Sequence, residues 1–546
     1  MKMNLLFAQG LIFLPIITAV LIYIFNKKLF NYGIFLTQLI MTGLVAKLWQ
    51  VVLRDGPLDF YLGGWSKKIG VNLSIDPLAL LFMTMAIIMW WAVMIYAWDQ
   101  RKDDFKFIFF LIFLEGAFMA FLQVNDFFTL FVLMEILTIT SAILILYKKD
   151  GLAIKAGLYY LLFNSFGMVV YLFGLLLLYL KAGTLNMDLI ADYIQTTNFA
   201  QVSFSVLHVA FVFLFIAMCV KSALFPVYEW LPRAHTAAPA SISALLSGLL
   251  VKSGLYGLIR IIQVFQVENL DQVLFYLGFL TALGGIVFAV SQSDIKATLA
   301  FSTISQIGLV VMAFASGTDL GHTGMYLHLF NHFLAKSILF LGAGVIINAY
   351  GYRRIREIRG IFMGHPFLSI AMFLAILSMV GAPLTAGFIS KNIIKLSMLS
   401  DIQVSLYRVV GVGTLLVFIR FSKIFVGEPS RVNKIQVSQM LGISILTLVL
   451  GGAFFFQLPA LDYFYSNSLY LGSAILKDTL AYISKTLYDG SYLIEFLIMA
   501  GTAYLIYGLT VKPGYKFWKT IRHFRINFHD AILSLLAFIS IMLMVI

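Results

Sequence analysis

The sequence predicts an all-α protein embedded in a membrane. Of 546 residues, 61% are hydrophobic and only 12% are charged, where a soluble domain carries about 25% charged residues. Apolar runs of about 20 residues, enough to span a bilayer as helix, recur along the whole chain. Basic residues gather in alternate connecting loops, the pattern of a chain that crosses back and forth. Run lengths give about sixteen spans, about fourteen of them a continuous core followed by two more.

The first run, 5–25, follows only Lys2 and lacks a small-residue cleavage site, so it is expected to stay as a helix rather than leave as a signal peptide. Clear spans follow at 79–98, 107–122, 127–147 and 156–180. Loops after odd-numbered spans hold Lys27 and Lys28, then Arg101, Lys102 and Lys106, then Lys148, Lys149 and Lys155. Later odd loops hold Arg353, Arg354, Arg356 and Arg359, and finally Lys512, Lys516, Lys519, Arg522 and Arg525. These loops carry about 23 of the 38 Lys and Arg, against about 11 on the other side. The odd loops are therefore expected in the cytoplasm, with the N-terminus outside the cell membrane.

The net charge of +13 does not point to nucleic acid, because the basic residues are spread through loops and form no patch. A single cysteine, Cys219, excludes an iron–sulfur cluster or Cys-rich zinc site held by this chain alone. His328 and His332 stand four residues apart on one helix face, whereas bis-His haem ligation needs ligands on opposite faces of the haem. No cofactor is expected.

Two segments interrupt the clean apolar helices. In Lys221-Ser-Ala-Leu-Phe-Pro-Val-Tyr-Glu-Trp-Leu-Pro-Arg-Ala-His-Thr-Ala-Ala-Pro239, each of Pro226, Pro232 and Pro239 removes a backbone donor and is expected to break helix. In Gly381-Ala-Pro-Leu-Thr-Ala-Gly-Phe-Ile-Ser-Lys391, Pro383 and Gly387 are expected to do the same. Broken helices in corresponding positions of two halves mark a transport site. The breaks fall at about the seventh and twelfth spans, as two five-helix units, helices 4–8 and 9–13, require, and an odd span count inverts the second unit. The expected organisation is residues 1–105, the first three helices; 106–265 and 266–430, the inverted repeats; and 431–546, the fourteenth helix, an amphipathic surface segment over 461–489 and two spans at 492–511 and 531–546. The basic loop 512–525 joins those spans. This extension serves either docking or simple anchoring.

Charges inside the spans need an explanation, because a charge at the bilayer centre costs about 2.5–3.5 kcal/mol on insertion scales. Glu135 lies about ten residues into its span, near the midplane, and Lys221, ending a half-helix, is its expected partner; a structural ion pair is the plain alternative. Lys252 has no acid within a helical turn and is too far from either flank to snorkel, which suits a proton carrier. His328, His332 and Lys336 form an i, i+4, i+8 stripe along one helix face and read as a relay. Lys391, beside the second break, is the expected outlet. Glu115 is a further mid-span acid without an evident partner, and His235 and Glu229 flank the first break, where they serve equally well as surface caps.

These residues resemble the antiporter-like subunits shared by respiratory complex I, the membrane-bound hydrogenase-related complexes and the Mrp-type sodium/proton antiporters. The resemblance covers about residues 60–430. It rests on Asn125-Asp-Phe-Phe-Thr-Leu-Phe-Val-Leu-Met-Glu135, on the stretch from Lys221 to Lys252, on Ser293-Asp-Ile-Lys-Ala-Thr-Leu-Ala-Phe-Ser-Thr-Ile-Ser-Gln-Ile-Gly308, on His328 to Lys336, and on Gly387-Phe-Ile-Ser-Lys391. It implies a fourteen-helix core with broken seventh and twelfth helices. It also implies that Glu135 and Lys221 are a coupling pair, Lys252 the central proton carrier, and His328, His332 and Lys336 a path to an exit at Lys391. Some relatives have glutamate at that exit, and many have an uncharged residue at the position of Glu229.

The expected function is proton translocation within a redox-driven respiratory or hydrogenase-type complex, among other membrane subunits and iron–sulfur-bearing peripheral subunits. The chain itself carries no redox centre. One alternative is a subunit of an Mrp-type sodium/proton antiporter, moving Na+ as well as H+; another is an assembly scaffold whose buried charges are structural.

Overall fold

The computed structural model describes residues 2–25, 29–197, 205–267, 270–428, 434–467, 490–514, 516–524 and 526–546. Among these, fourteen helices are long and apolar enough to cross a membrane, and two shorter apolar helices, Val206–Lys221 and Pro366–Val380, belong to interrupted spans. Together they match the count of about sixteen taken from run lengths. Lys27, Lys28 and Arg525 lie outside the described residues, as does most of the expected surface segment at 468–489.

The first two spans are α1 (Lys2–Phe25) and α2 (Leu29–Asp55), followed by a short antiparallel ribbon of β1 (Leu58–Tyr61) and β2 (Asn72–Ile75), with Leu58 opposite Ile75. Then come α3 (Pro77–Arg101), α4 (Phe105–Gln123), α5 (Phe127–Leu146), α6 (Gly151–Ala182) and the short α7 (Met187–Thr196). The seventh span is two pieces, α8 (Val206–Lys221) and α9 (Trp230–Ala237). The eighth joins α10 (Ala240–Leu245) to α11 (Val251–Phe265) through a π-helical turn at Leu246–Leu250. Next are α12 (Leu270–Ser291), α13 (Ile295–Phe314), α14 (Asp319–Tyr350) and the single turn α15 (Ile361–Gly364). The twelfth span is again two pieces, α16 (Pro366–Val380) and α17 (Ala386–Leu396), before α18 (Asp401–Phe421) and α19 (Val437–Asn467). Residues 461–467, expected to begin a surface segment, continue α19 instead. Helices Gly490–Ile506, Lys516–His523 and Phe528–Val545 complete the chain.

Helix starts are set by short polar side chains that accept from the otherwise unpaired first backbone N–H groups. Asp76, Asp104, Asp126, Asp150, Asp294, Thr318, Thr385 and Ser400 all do this. Asp76 does more: it accepts from both Nη atoms of Arg260, at 2.7 and 2.8 Å, tying α3 to α11. Burial pushes the Asp76 pKa up, but the Arg260 charge and hydrogen bonds outweigh this and hold it below its ordinary value.

Two backbone knots correspond. At the start of α5, Phe127 N–H donates to Leu185 O and Met187 N–H to Asn125 O, so Asp126 pairs with Asn186 just past α6. At the start of α13, Ile295 N–H donates to Arg353 O and Ile355 N–H to Ser293 O, so Asp294 pairs with Arg354 just past α14. In each knot an aspartate caps the helix, and a glycine in the left-handed region, Gly183 (φ 64°) or Gly351 (φ 74°), ends the next span. An odd number of spans, α5 through α12, separates them, so they lie at opposite ends of the bundle.

Both breaks exist, though not at every residue expected. Pro226 lies between α8 and α9, and Pro239 caps α10. Pro232 does not interrupt helix; it sits in the first turn of α9, where its missing N–H has no intrahelical acceptor to lose. In the twelfth span the break is made by Gly381 (φ 74°) and Pro383. Gly387 lies inside α17, where a Cβ would stand 1.7 Å from the Ser378 carbonyl oxygen, so it is there to let the two half-helices meet.

The three closing helices pack on this chain's own core. Helix Gly490–Ile506 lies against α18, Lys516–His523 against α12, and Phe528–Val545 against α8 and α6. Arg522 Nε donates to Ser291 O at 2.7 Å and Arg233 Nη2 to Ile526 O at 2.6 Å, which anchors the extension to the ends of α12 and α9.

Candidate functional site

The two broken spans and the most enclosed helices, α11, α13 and α14, bring the intramembrane charges to the centre of the bundle. Lys221 closes α8 at the break and is buried there. Its Nζ stands 3.6 Å from Glu135 Oε1 on α5 and donates to Thr138 Oγ1. Ser165 Oγ on α6 donates to Glu135 Oε2 at 2.8 Å. At an effective dielectric near 20 a separation of this size is worth about 4–5 kcal/mol. The pair is looser than a hydrogen-bonded salt bridge and can be opened.

Lys252, on α11, is fully buried. A π turn stands just before it, at Leu246–Leu250. Lys252 Nζ donates to the carbonyl oxygen of Ser247 within that turn at 2.7 Å. Ser247 Oγ in turn meets Thr303 Oγ1 of α13 at 2.8 Å. Among the described residues no carboxylate lies in an ion pair with Lys252. Glycine sets its neighbours: a Cβ on Gly254 would meet Ser222 N at 2.5 Å and the Lys221 carbonyl carbon at 2.6 Å. Two residues past Lys252, α11 therefore touches the end of α8, next to the Glu135–Lys221 pair.

On α14, His328, His332 and Lys336 share one face, as their spacing required. The two histidine rings are 6.2 Å apart between centroids. His328 is held at both nitrogens, by Ser390 Oγ of α17 at 3.2 Å and Gln306 Oε1 of α13 at 3.1 Å. His332 Nε2 is buried with no protein partner among the described residues. Lys336 Nζ donates to Leu299 O at 3.1 Å and to Ser302 Oγ, and lies over the Phe418 ring. Lys391 follows Ser390 on α17, so the His328–Ser390 contact places the stripe beside it. His332 is within electrostatic range of Lys252, Lys336, His328 and Lys391 together. The charges from Lys221 to Lys391 are each at most 6% exposed, apart from Glu135.

One member was missed in the sequence. Lys296, near the start of α13, is 3% exposed. Its Nζ donates to Ala238 O at 2.8 Å and Ser243 Oγ at 3.2 Å, both at the α9–α10 junction. It lines a polar cleft of about 170 Å³ with Tyr96, Arg101, Lys148, Asn348 and Arg353. The lysine beside Asp294 looked like part of a helix start, and only its burial under α10 sets it apart. His235 is also no surface cap: it is fully buried, stacked on Phe340 at 4.4 Å, and neither ring nitrogen has a protein partner among the described residues. It lies within electrostatic range of Lys296, Lys336 and Lys252.

Two expected accessories fall elsewhere. Glu115 is fully buried on α4, where Gln38 Nε2 of α2 donates to it, away from the stripe. Glu229 forms an i, i+4 ion pair with Arg233 at 3.1 Å. Because Arg233 also holds Ile526 O and covers the Tyr159 ring, that pair serves the extension rather than the stripe.

Residues 124–420 match the family described as NADH:quinone oxidoreductase/Mrp antiporter, TM. An Na(+)/H(+) antiporter subunit from Alkalihalophilus pseudofirmus is 30% identical over 449 residues, covering 78% of this chain and 90% of the relative. An NADH-quinone oxidoreductase subunit from Desulforudis audaxviator is 31% identical over 396 residues, covering 70% of this chain and 77% of the relative. A chain of the Mrp complex from Dietzia sp. DQ12-45-1b shares the fold with a TM-score of 0.77 at 19% identity, covering 92% of this chain and all of that one. A chain of the membrane-bound sulfane sulfur reductase, an archaeal respiratory membrane complex, aligns with a TM-score of 0.76 at 25% identity over 90% of this chain and 99% of that one. With its broken spans, its buried charge stripe and a family match over more than half its length, the chain belongs to the NADH:quinone oxidoreductase/Mrp antiporter transmembrane family.

Proposed function

We propose that this chain is a proton-translocating, antiporter-like subunit of a larger redox-driven complex of the respiratory or hydrogenase type, set in the cell membrane with its N-terminus outside. The observation that carries this reading is the stripe of buried titratable groups running from Glu135 and Lys221 through Lys252 and the α14 histidines to Lys391. A scaffold has no use for a fully buried lysine that, among the described residues, pairs with no carboxylate and is bonded to the Ser247 carbonyl oxygen. The division into residues 1–105, 106–265, 266–430 and 431–546 is supported by the matching knots of α5 and α13.

On this reading protons are taken up on the cytoplasmic side through the polar cleft at Lys296, pass His235 and load Lys252. A driving event in a neighbouring subunit opens or closes the Glu135–Lys221 pair, which changes the positive potential felt by Lys252 and expels its proton. The proton then moves to His332 and His328, whose 6.2 Å ring spacing suits transfer through one bridging water, and on to Lys391. Lys336, on the same face of α14 one turn beyond His332, is the third group of this relay. Partners are other membrane subunits together with iron–sulfur-bearing peripheral subunits; the transported ion is H+.

Lys252→Met keeps bulk and removes the titrating group. Expected is loss of proton transport with assembly intact; full transport by that variant sinks the mechanism. The relatives named as Na(+)/H(+) antiporter subunits favour a second drive, in which a sodium gradient works the same stripe. Mild-detergent isolation of the tagged chain with its partners decides between them: iron–sulfur and flavin in the isolate support the redox drive, and small membrane subunits without a redox centre support the exchanger.

A further inference from the structure

The Gly490–Val511 span carries a single charge, Glu495, and that charge faces the second broken helix. Glu495 Oε2 accepts from Lys395 Nζ of α17, and Oε1 accepts from Arg408 Nε of α18 at 2.9 Å. Lys395 lies one helical turn beyond Lys391, on the same face of α17. Lys395 Nζ also sits 5.2 Å above the Tyr492 ring, and Tyr492 meets Phe388 of α17 edge to face at 6.3 Å. On α18, Tyr407 donates to the Lys391 carbonyl oxygen at 2.8 Å. The last helices therefore reach the place where the stripe ends.

We propose that Glu495 is the terminal proton-relay group of the outlet, supplied by the C-terminal extension to a core in which, among the described residues, no acid pairs with Lys391 or Lys395. This rests on the reading of Lys391 as the exit of the buried stripe. A proton leaving the Lys391 ammonium passes to the Glu495 carboxylate, loosening its bonds to Lys395 and Arg408. The protonated acid then releases it to outside water, and the carboxylate pairs again with Lys395. The charged and titratable groups facing Glu495 among the described residues are Lys395 from α17, Tyr407 and Arg408 from α18, and Tyr492 from its own helix; Lys391 stands one turn back along α17, its side chain against the break at Gly381. The positive charges of Lys395 and Arg408 also oppose back-transfer, because a proton returning from outside must pass them. Simple anchoring is the competing account. An anchor does not need a glutamate in an otherwise apolar span, and Arg522 and Arg233 already anchor the extension elsewhere.

The test uses the whole complex in inverted membrane vesicles, with proton transport read against the pH of the compartment that receives the protons. Glu495→Gln keeps the side chain's size and, through its one amide oxygen, one of the two accepted hydrogen bonds, but cannot carry a proton; transport is expected to fall roughly tenfold or more, at normal assembly, and to lose its dependence on receiving-side pH. Glu495→Asp should restore transport with a displaced pH profile. Arg522→Gln, which removes an anchor of the extension at Ser291 but touches no relay group, should transport nearly normally. Wild-type rate and pH profile in Glu495→Gln, or equal losses in Glu495→Gln and Arg522→Gln, overturn the proposal. If Glu495→Gln does not assemble, Glu495→Asp decides, an unchanged profile counting against the relay. Lys391→Met is the control: normal transport by that variant overturns the exit reading itself, whereas its failure beside a normal Glu495→Gln overturns only the relay.

Discussion

Replacing Glu135 by Gln removes the charge opposite Lys221 and keeps the side chain's size. The separation of 3.6 Å corresponds to about 4–5 kcal/mol at an effective dielectric near 20. Glu135 keeps 23% of its side chain exposed, so solvent screening leaves roughly half of that, about 2 kcal/mol. Ser165 still donates to the amide oxygen and Lys221 still donates to Thr138, so local packing is expected to hold. A loss of about 2 kcal/mol from the step that the transport cycle must reset lowers its rate roughly 30-fold. The assay is quenching of a pH-sensitive acridine dye in inverted vesicles, scaled to the amount of assembled complex on a native gel. Glu135→Asp, with the charge kept but drawn back by one methylene, should fall between. A Gln variant that transports at the full rate at normal assembly would refute the coupling role of the pair.

Gly387→Ala should block or severely weaken folding, since its Cβ would overlap the Ser378 carbonyl oxygen at 1.7 Å and overpacking at backbone costs about 1–3 kcal/mol or more. Gly451→Ala, whose Cβ meets nothing within 4 Å, is the matched control, and the yield and melting temperature of the purified complex check both. Asp76→Asn should cost about 3 kcal/mol by leaving Arg260 unpaired. Because the folded Asp76 pKa is depressed, its stabilisation is present above about pH 4 and is lost as pH falls through the folded value. Melting temperature measured against pH should therefore drop in acid for the wild type and much less for Asp76→Asn; equal acid slopes would show that the ion pair is not linked to stability.

Much of the stripe was legible residue by residue. Glu135, Lys252, Lys336 and the two histidines are anomalous within their own apolar runs, and the i, i+4, i+8 spacing of the α14 groups already places them on one face. Lys296 was not legible, because a lysine two residues from a capping aspartate is ordinarily solvated; α10, from another part of the chain, covers it. His235 was ambiguous for the same reason, and Phe340, which stacks on it, is remote in sequence. Pro232 and Gly387 were misread as breakers: a proline's effect depends on its place in the first turn, and a glycine's necessity on a neighbouring backbone that comes close. The partner of Glu115, Gln38, stands 77 residues earlier and carries no local signal.

The sequence by itself determined that the chain is built of membrane-spanning helices, about how many it has, which two of them are interrupted and most of the charges that lie within their apolar runs. These follow from transfer energies and backbone donors, which belong to single residues and their immediate neighbours. Beyond the Glu135–Lys221 pair, only tertiary structure decided which charges meet. The seating of Lys252 on a π-turn carbonyl, the cover over Lys296 and the arrival of Glu495 at Lys395, 100 residues away, depend on side-chain volumes filling one shared interior. That packing is a property of all the helices together, and no local pattern encodes it.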